Sequence, residues 1–400
     1  MVFNQENVKH IQEQILSIIE ENKSNYIKMS REIHGNPEIG NEEVFASQLL
    51  SERLADEGFI LEKNIAGHPT GFIARKKSKA KPGPAIGYLA EYDALPGLGH
   101  ACGHNIIGVA STAAAIALGR VLDEIGGEVV VFGTPAEEGG PNGSAKGSFV
   151  KANLLEGIDA CMMIHPSNET RTTSNSLAVD PLDFEFVGRP AHAAASPENG
   201  INALDAVILF FNGINALRQH VTDDVRIHGI ITHGGDAPNI IPEYAKARFY
   251  IRAATRTKLD EVTNKVKAVA EGAATATGTS LKVIAFQNPV DNLVLNKRFD
   301  EVFRRNLERL GESFAESDKQ GTGSTDTGNI SQVVATIHPT VKIGSRDLVG
   351  HTVAFREAAC SSEGDKGLVL GAKALALTGL DLIVNQKLLQ EIKEEFKSQK

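Results

Sequence analysis

The chain of 400 residues has only three cysteines, Cys102, Cys161 and Cys360. So sparse and odd a set excludes a disulfide framework and fits a reducing compartment, so a cytoplasmic location is expected. No run of about 18 apolar residues occurs, and no membrane span is expected. The most apolar stretch, Ile106 to Leu118, is short and rich in glycine and alanine. The first ten residues show no basic start leading into an apolar stretch, so no secretory signal is expected. Net charge is -9 with acidic and basic residues interspersed. Without a basic stripe, nucleic acid is not an expected partner, and neither is a membrane. No internal repeat, no low-complexity segment and no Gly-x-Ser-x-Gly nucleophile motif is present.

What remains is the composition of an ordinary globular protein, 42% apolar and 23% charged. Four hundred residues is long for one hydrophobic core, so two domains are expected. Apolar residues at helical spacing predict helices at Val8 to Glu21, Tyr26 to Ile33 and Glu42 to Glu57. Short apolar runs at Ala85 to Ala90, Val129 to Phe132 and Ala160 to Ile164 predict buried strands of an α/β sheet. Near Leu177 the pattern changes. Strands are expected at Asp183 to Val187, Ile227 to Thr232, Ala247 to Ala253 and Ser280 to Phe286. Helices are expected at Asn202 to Gln219 and Lys258 to Thr277. That order predicts an inserted α+β domain over residues 180–291, with 1–179 and 292–400 forming a discontinuous first domain. Helices at Asn296 to Leu310 and Gly364 to Leu377 and a strand at Val341 to Ile343 would complete it. Lys76 to Lys81 reads as a solvated loop.

The chemistry gathers at the ends of predicted strands. The first is followed by Glu91-Tyr92-Asp93 and then by His100-Ala101-Cys102-Gly103-His104-Asn105. The second runs into Pro135-Ala136-Glu137-Glu138-Gly139-Gly140, and the third into His165-Pro166. Sites in open α/β sheets form beyond the carboxyl ends of strands. Taken alone, Cys-Gly-His reads as a buried cysteine beside a satisfied histidine, Glu-Glu as two solvated loop carboxylates, His165 as a strand terminus and His351 as a loop histidine. Together they form a set of metal-binding groups. Glycines let Cys102 and His104 turn toward one ion, and adjacent carboxylates repel each other until a cation relieves them.

These motifs resemble the dinuclear-metal aminoacylases, carboxypeptidases and amidohydrolases, family twenty of the metallopeptidases. Within it the chain is most similar to the branch of aminobenzoyl-glutamate hydrolases, auxin-conjugate hydrolases and β-alanyl-lysine-type dipeptidases. The likeness runs from Arg31-Glu32-Ile33-His34-Gly35-Asn36-Pro37-Glu38 to His351. It implies a dinuclear-metal, exopeptidase-like catalytic domain with an inserted lid that also dimerises. Cys102, His104, Glu138, His165 and His351 would hold two divalent ions per subunit, zinc or manganese, and Glu137 would be the general base. In the lid, His192 of Gly188-Arg189-Pro190-Ala191-His192 matches a histidine that reaches an active site, often across a dimer. Asn239 and Arg252 match substrate contacts, and Gly323 to Asn329 matches a loop near the cleft. Two departures stand out. Glu91-Tyr92-Asp93 replaces the His-x-Asp of many relatives outside this branch, and Asn105 stands where several branch members carry Asp.

The expected activity is hydrolysis of the amide bond of a small dipeptide or N-acyl amino acid by metal-activated water. Within the same chemistry an aminoacylase or aminobenzoyl-glutamate-type hydrolase is the alternative. Two rivals come from other classes: a cysteine hydrolase built on Cys102 and His104, and a binding protein on a degenerate peptidase scaffold. Three lid residues keep bland readings: His192 as a helix-start residue before Ser196-Pro197, Arg252 on a strand surface, Asn239 in a turn before Pro242.

Overall fold

A computed structural model describes residues 4–314 and 323–399. In chain order its strands are β1 Ile60–Ile65, β2 His68–Lys77, β3 Ala85–Ala90, β4 Glu128–Gly133, β5 Ala160–Met162, β6 His165–Ser167, β7 Ala178–Val187, β8 Arg226–His233, β9 Tyr244–Ala253, β10 Ser280–Ala285, β11 Thr336–Ile337 and β12 Thr340–Lys342. They form two compact units. The first runs through Asn175, resumes at Leu293 and takes in Asp326 onward; the second is Ser176–Asn292 with a short segment ending at Thr325. The second unit therefore starts at Ser176 rather than at 180, because β7 already begins at Ala178, opposite Ala253 of β9.

The first unit is built on a six-stranded sheet in the order β1-β2-β4-β3-β5-β11. Strands β3, β4, β5 and β11 are parallel, and β2 joins β4 antiparallel. All six residues of β3 are buried, as a strand covered on both faces requires. The chain crosses from β3 to β4 through the helix His104–Arg120, every residue of which except Arg120 is buried. It packs against the helix Ser362–Val384. That second helix is long and apolar enough to cross a membrane, yet 78% of its most apolar stretch is buried inside the unit. Burying an aliphatic side chain contributes about 1.5–3 kcal/mol. Leu368, Leu375, Leu380 and Leu382, all buried, make this a core helix.

Three local expectations differ. Strands β1 and β2 have no clear signal in the sequence, because Pro69, Gly71 and the basic end of β2 break any alternation. Lys76 and Lys77 lie on β2 opposite Val129 and Glu128, not in a loop. Ala160 to Ile164 is not one strand: the ladder with β3 ends at Met162, and His165 begins β6, which pairs with β12 in a separate two-stranded sheet.

In the second unit, four antiparallel strands run in the order β10-β7-β9-β8. Along β9 buried residues alternate strictly, and Ala245, Ala247, Phe249, Ile251 and Ala253 face the core. The helices Ala203–Leu217 and Arg256–Thr277 pack on each other and on β7 and β9. Phe210 closes that core against Phe184 at 4.6 Å and Phe249 at 5.1 Å between ring centroids. Strand β8 is an edge, and Ile230 and Ile231 on it are exposed.

Candidate metal centre

Gly103 starts the His104–Arg120 helix with φ +80°. A Cβ there would lie 2.4 Å from Pro166 Cγ, so glycine alone lets the Cys102 turn rest on β6. Cys102 Sγ then lies 3.5 Å from His165 Nε2. The backbone carbonyl of Pro166 accepts from His165 Nδ1 at 2.8 Å, which leaves the Nε2 lone pair facing the thiol. His104 is fully buried and donates Nδ1–H to Asp93 Oδ1 at 2.8 Å, leaving its Nε2 lone pair free in the same way. The other Asp93 oxygen accepts the Glu138 backbone N–H at 2.9 Å. From a distant loop, His351, itself at φ +61°, brings Nε2 to 3.2 Å from Glu138 Oε1.

The structure thus brings together Cys102, His104, Glu137, Glu138, His165 and His351. Among the described residues four groups of side chains have ligand atoms all within 4.8 Å of one another: Cys102 with His104 and His165, Cys102 with Glu138 and His351, His104 with Glu137 and Glu138, and Glu91 with Glu137 and Asp326. Cys102 belongs to the first two, so its sulfur can bridge two neighbouring positions. The donor set fits a divalent metal. His104 Nε2 and Glu91 Oε2 are buried with no hydrogen-bond partner among the described residues, and a cation supplies what His104 lacks. Thiolate, imidazole and carboxylate together suit a divalent transition metal.

Proton affinities diverge within the cluster. Burial, with Glu91 and Glu138 beside it, pushes the Glu137 carboxyl well above its ordinary range. For Glu138 burial acts the same way but is outweighed by the hydrogen bond from His351 and the charge of His104, and its pKa falls to about 2. Burial and Glu138 hold the Cys102 thiol well above its usual value, so the thiolate needs a cation to form. That counts against Cys102 as a free nucleophile, and His104, locked to Asp93, is not placed as its base. Burial lowers the proton affinity of His104 but is outweighed by Asp93 and Cys102, so a cation competes with a proton for the Nε2 lone pair.

Several neighbours have no signal in the sequence. Lys146 is fully buried and bridges Glu91 Oε1 at 2.6 Å and Asp326 Oδ1 at 2.5 Å. Its ammonium stands beside the carboxylates of Glu91, Glu137 and Asp326, where a cation would otherwise be needed. His338 lies against His165 with ring centroids 5.4 Å apart, and burial lowers its pKa to about 4. Asn105 donates to Ser30 Oγ at 2.9 Å and to the Ala359 carbonyl at 3.0 Å, which an aspartate cannot do. A cleft of about 1120 Å³ lined by Gln5, Arg298 and Glu391 contains none of the candidate ligand residues.

His192, Asn239 and Arg252 belong to the second unit. His192 bridges Ile240, and the Ala193 N–H reaches the Asn239 carbonyl at 3.0 Å, so His192 and Asn239 lie side by side. His192 Nδ1 accepts from the Ala194 and Ala195 amides at 3.3 and 3.2 Å, which places the proton of the exposed ring on Nε2. Arg252 stands apart from them on β9, half-buried, donating to Ser324 Oγ at 2.7 Å with its guanidinium 5.5 Å from the Tyr250 ring. The loop Gly323 to Asn329 divides: Ser324 goes with the second unit, and Asp326 with the first.

Residues 182–277 match the peptidase dimerisation domain. The chain is 36% identical over 387 residues to an Xaa-Arg dipeptidase of Homo sapiens, covering 92% of this chain and 88% of that protein. It is 29% identical over 460 residues to one polypeptide of the p-aminobenzoyl-glutamate hydrolase of Escherichia coli (strain K12), covering 94% of this chain and 93% of that protein. The fold matches that of a dinuclear metal-binding peptidase of the M20 family from Bacillus subtilis with a TM-score of 0.65 at 20% identity, over 90% of this chain and 99% of the other.

Proposed function

The chain belongs to the M20 family of metal-dependent peptidases and amidohydrolases, and from that premise we propose that it is a dipeptidase with two divalent ions held by Cys102, His104, Glu138, His165 and His351. Amide-bond hydrolysis is its reaction class. The observation that carries the fuller reading is the Cys102 sulfur shared by two ligand groups with Glu137 alongside. When bound, a divalent metal supplies Lewis acidity for the amide carbonyl and acidifies water at neutral pH. Glu137 takes the proton of the attacking water on its carboxylate and passes it to the leaving amine. Glu138 stays ionised beside His351 as a ligand. Asp93 holds the His104 ring by Nδ1, and Pro166 the His165 ring, so both rings present Nε2. His192 donates Nε2–H to the developing oxyanion, Arg252 pairs with the substrate carboxylate through its two-pronged guanidinium, and Asn239 adds a polar contact.

The human relative's name, Xaa-Arg dipeptidase, supports a small dipeptide ending in a basic residue as substrate. Thiolate and imidazole ligands favour zinc, with manganese the second choice. A homodimer through the second unit is supported by its match to a dimerisation domain and by the exposed isoleucines of the edge strand β8. The test is turnover of alanyl-arginine alongside elemental analysis of the purified protein. Chelation abolishes hydrolysis, and zinc or manganese restores it. Full activity in metal-free protein would sink the reading, and cleavage of aminobenzoyl-glutamate or N-acyl amino acids alone would move the substrate to the aminoacylase type.

A further inference from the structure

Glu43 is fully buried and faces the turn that carries Glu137. Its position just before the helix Val44–Asp56 reads as a helix cap, but it caps nothing. That task falls to Glu38, whose two oxygens accept from the Phe45 and Ala46 amides at 2.9 and 3.0 Å. Glu43 turns inward instead. Its Oε1 accepts the backbone N–H of Ala136 at 2.8 Å, and its Oε2 accepts from Thr70 Oγ1 at 2.7 Å. Burial first, and Asp93 second, raise its pKa to about 7, so the fold keeps this carboxyl inside against its preference for water.

Ala136 has φ +58°, a left-handed conformation that a residue with a side chain holds only when its surroundings impose it. The surroundings here are specific. Ser144 N–H binds the Ala136 carbonyl at 2.7 Å, Glu43 binds its N–H, and Asp93 binds the Glu138 N–H at 2.9 Å. Ser144 and Asp93 therefore fix the two peptide planes that flank Glu137, and the buried Glu43 carboxylate fixes the 135–136 plane on the far side of Ala136, the plane whose orientation sets the strained φ. The segment around Glu43 grips the same loop again, as Asn41 Nδ2 donates to the Pro141 and Asn142 carbonyls at 2.9 and 3.3 Å. Gly40 allows the approach, since a Cβ there would meet Gly139 O at 2.5 Å and Ala136 Cβ at 2.8 Å.

We propose that Glu43 is a positioning residue for hydrolysis, holding the strained Ala136 turn so that Glu137 points at the reacting water. This rests on the reading of Glu137 as the proton acceptor. Glu43→Met keeps length and suits a buried site but removes both oxygens, whereas Glu43→Gln keeps a carbonyl oxygen for the Ala136 N–H. Hydrogen exchange of the amides at 136–139, metal content, and kcat and KM on alanyl-arginine are measured for both. In Glu43→Met, exchange at Ala136 speeds up by about tenfold or more, the gain expected from one lost hydrogen bond. Metal content and KM stay near wild type while kcat falls by on the order of 10²-fold, the size of effect a misplaced reacting group produces. Glu43→Gln recovers kcat to within about threefold because the acceptor is restored. Wild-type exchange and wild-type kcat in Glu43→Met overturn the proposal, as does a Gln variant as slow as Met with its metal intact. Should Glu43→Met not fold, Thr70→Val removes only the hydroxyl that holds Oε2. Exchange at Ala136 then rises and kcat falls by smaller amounts, and no change in either overturns the proposal too. Wild-type protein that leaves alanyl-arginine intact refutes the substrate reading, yet the exchange comparison still decides the role of Glu43.

Discussion

Glu137 and Glu138 are neighbours in the chain with opposite proton affinities, and the difference comes from who touches them. His351 and His104 stabilise the charge of Glu138, while Glu137 faces Glu91 and Glu138 in a buried place. Environments that drive two carboxyls apart in this way assign them different tasks. In the proposed mechanism Glu138→Gln lowers metal content and turnover together. Glu137→Gln keeps the metal and loses turnover by about 10²–10⁴-fold, the contribution of a positioned base. Elemental analysis and kcat on the two variants separate these outcomes, and a Glu137→Gln protein with near-normal kcat removes Glu137 from the base role.

At the scale of elements, the centre depends on one turn lying against one short strand. Gly103 has φ +80° and no room for a methyl group beside Pro166. Gly103→Ala must therefore push the Cys102 turn off β6 and separate Cys102 from His165. We expect metal affinity to fall by about 10–100-fold, as when a group that orients a ligand is lost. Gly97→Ala is the control: Gly97 also has positive φ, +70°, but its Cβ would meet nothing within 4 Å. It shares the backbone strain without the clash and keeps its metal. Equal metal loss in the two variants, by titration with a competing chelator, shows that strain rather than contact with Pro166 is responsible. The turn itself was legible in Cys102-Gly103-His104 because glycine marks it locally. The strand it rests on was legible only in part. Ala160 to Ile164 carries the same apolar signal throughout, and it is pairing with β12 that detaches His165 from β5.

For the whole molecule, the second unit leaves Ile230 64% and Ile231 44% exposed on the edge strand β8, with Ile208 and Leu209 exposed on the helix Ala203–Leu217. An unpaired edge carrying large apolar side chains calls for a cover, and a second copy supplies one by two-fold symmetry. Wild-type protein at micromolar concentration should scatter light as a dimer. Changing Ile230 and Ile231 together to Lys should yield a monomer with its metal content intact, since the proposed ligands all lie in the other unit. A monomeric wild type discards the dimer and with it the idea that His192 serves a neighbouring copy.

The sequence by itself determined most of the candidate site, because Cys102, His104, Glu138 and His165, proposed as ligands, and Glu137, proposed as the base, stand in short motifs whose glycines and strand ends are local signals. It also determined the change to an antiparallel α+β pattern in the middle of the chain, since alternation in β9 and the two long amphipathic helices are written in neighbouring residues. Only the tertiary structure decided what surrounds those ligands. Lys146 meets Asp326 across 180 residues, and Glu43 meets Ala136 across 93. A lone Lys after a loop, or a second Glu before a helix, reads as a solvated charge until folding removes the water. Burial then forces each charged group to find a partner, and which partner it finds depends on distant segments that the sheet and its crossover helix bring together.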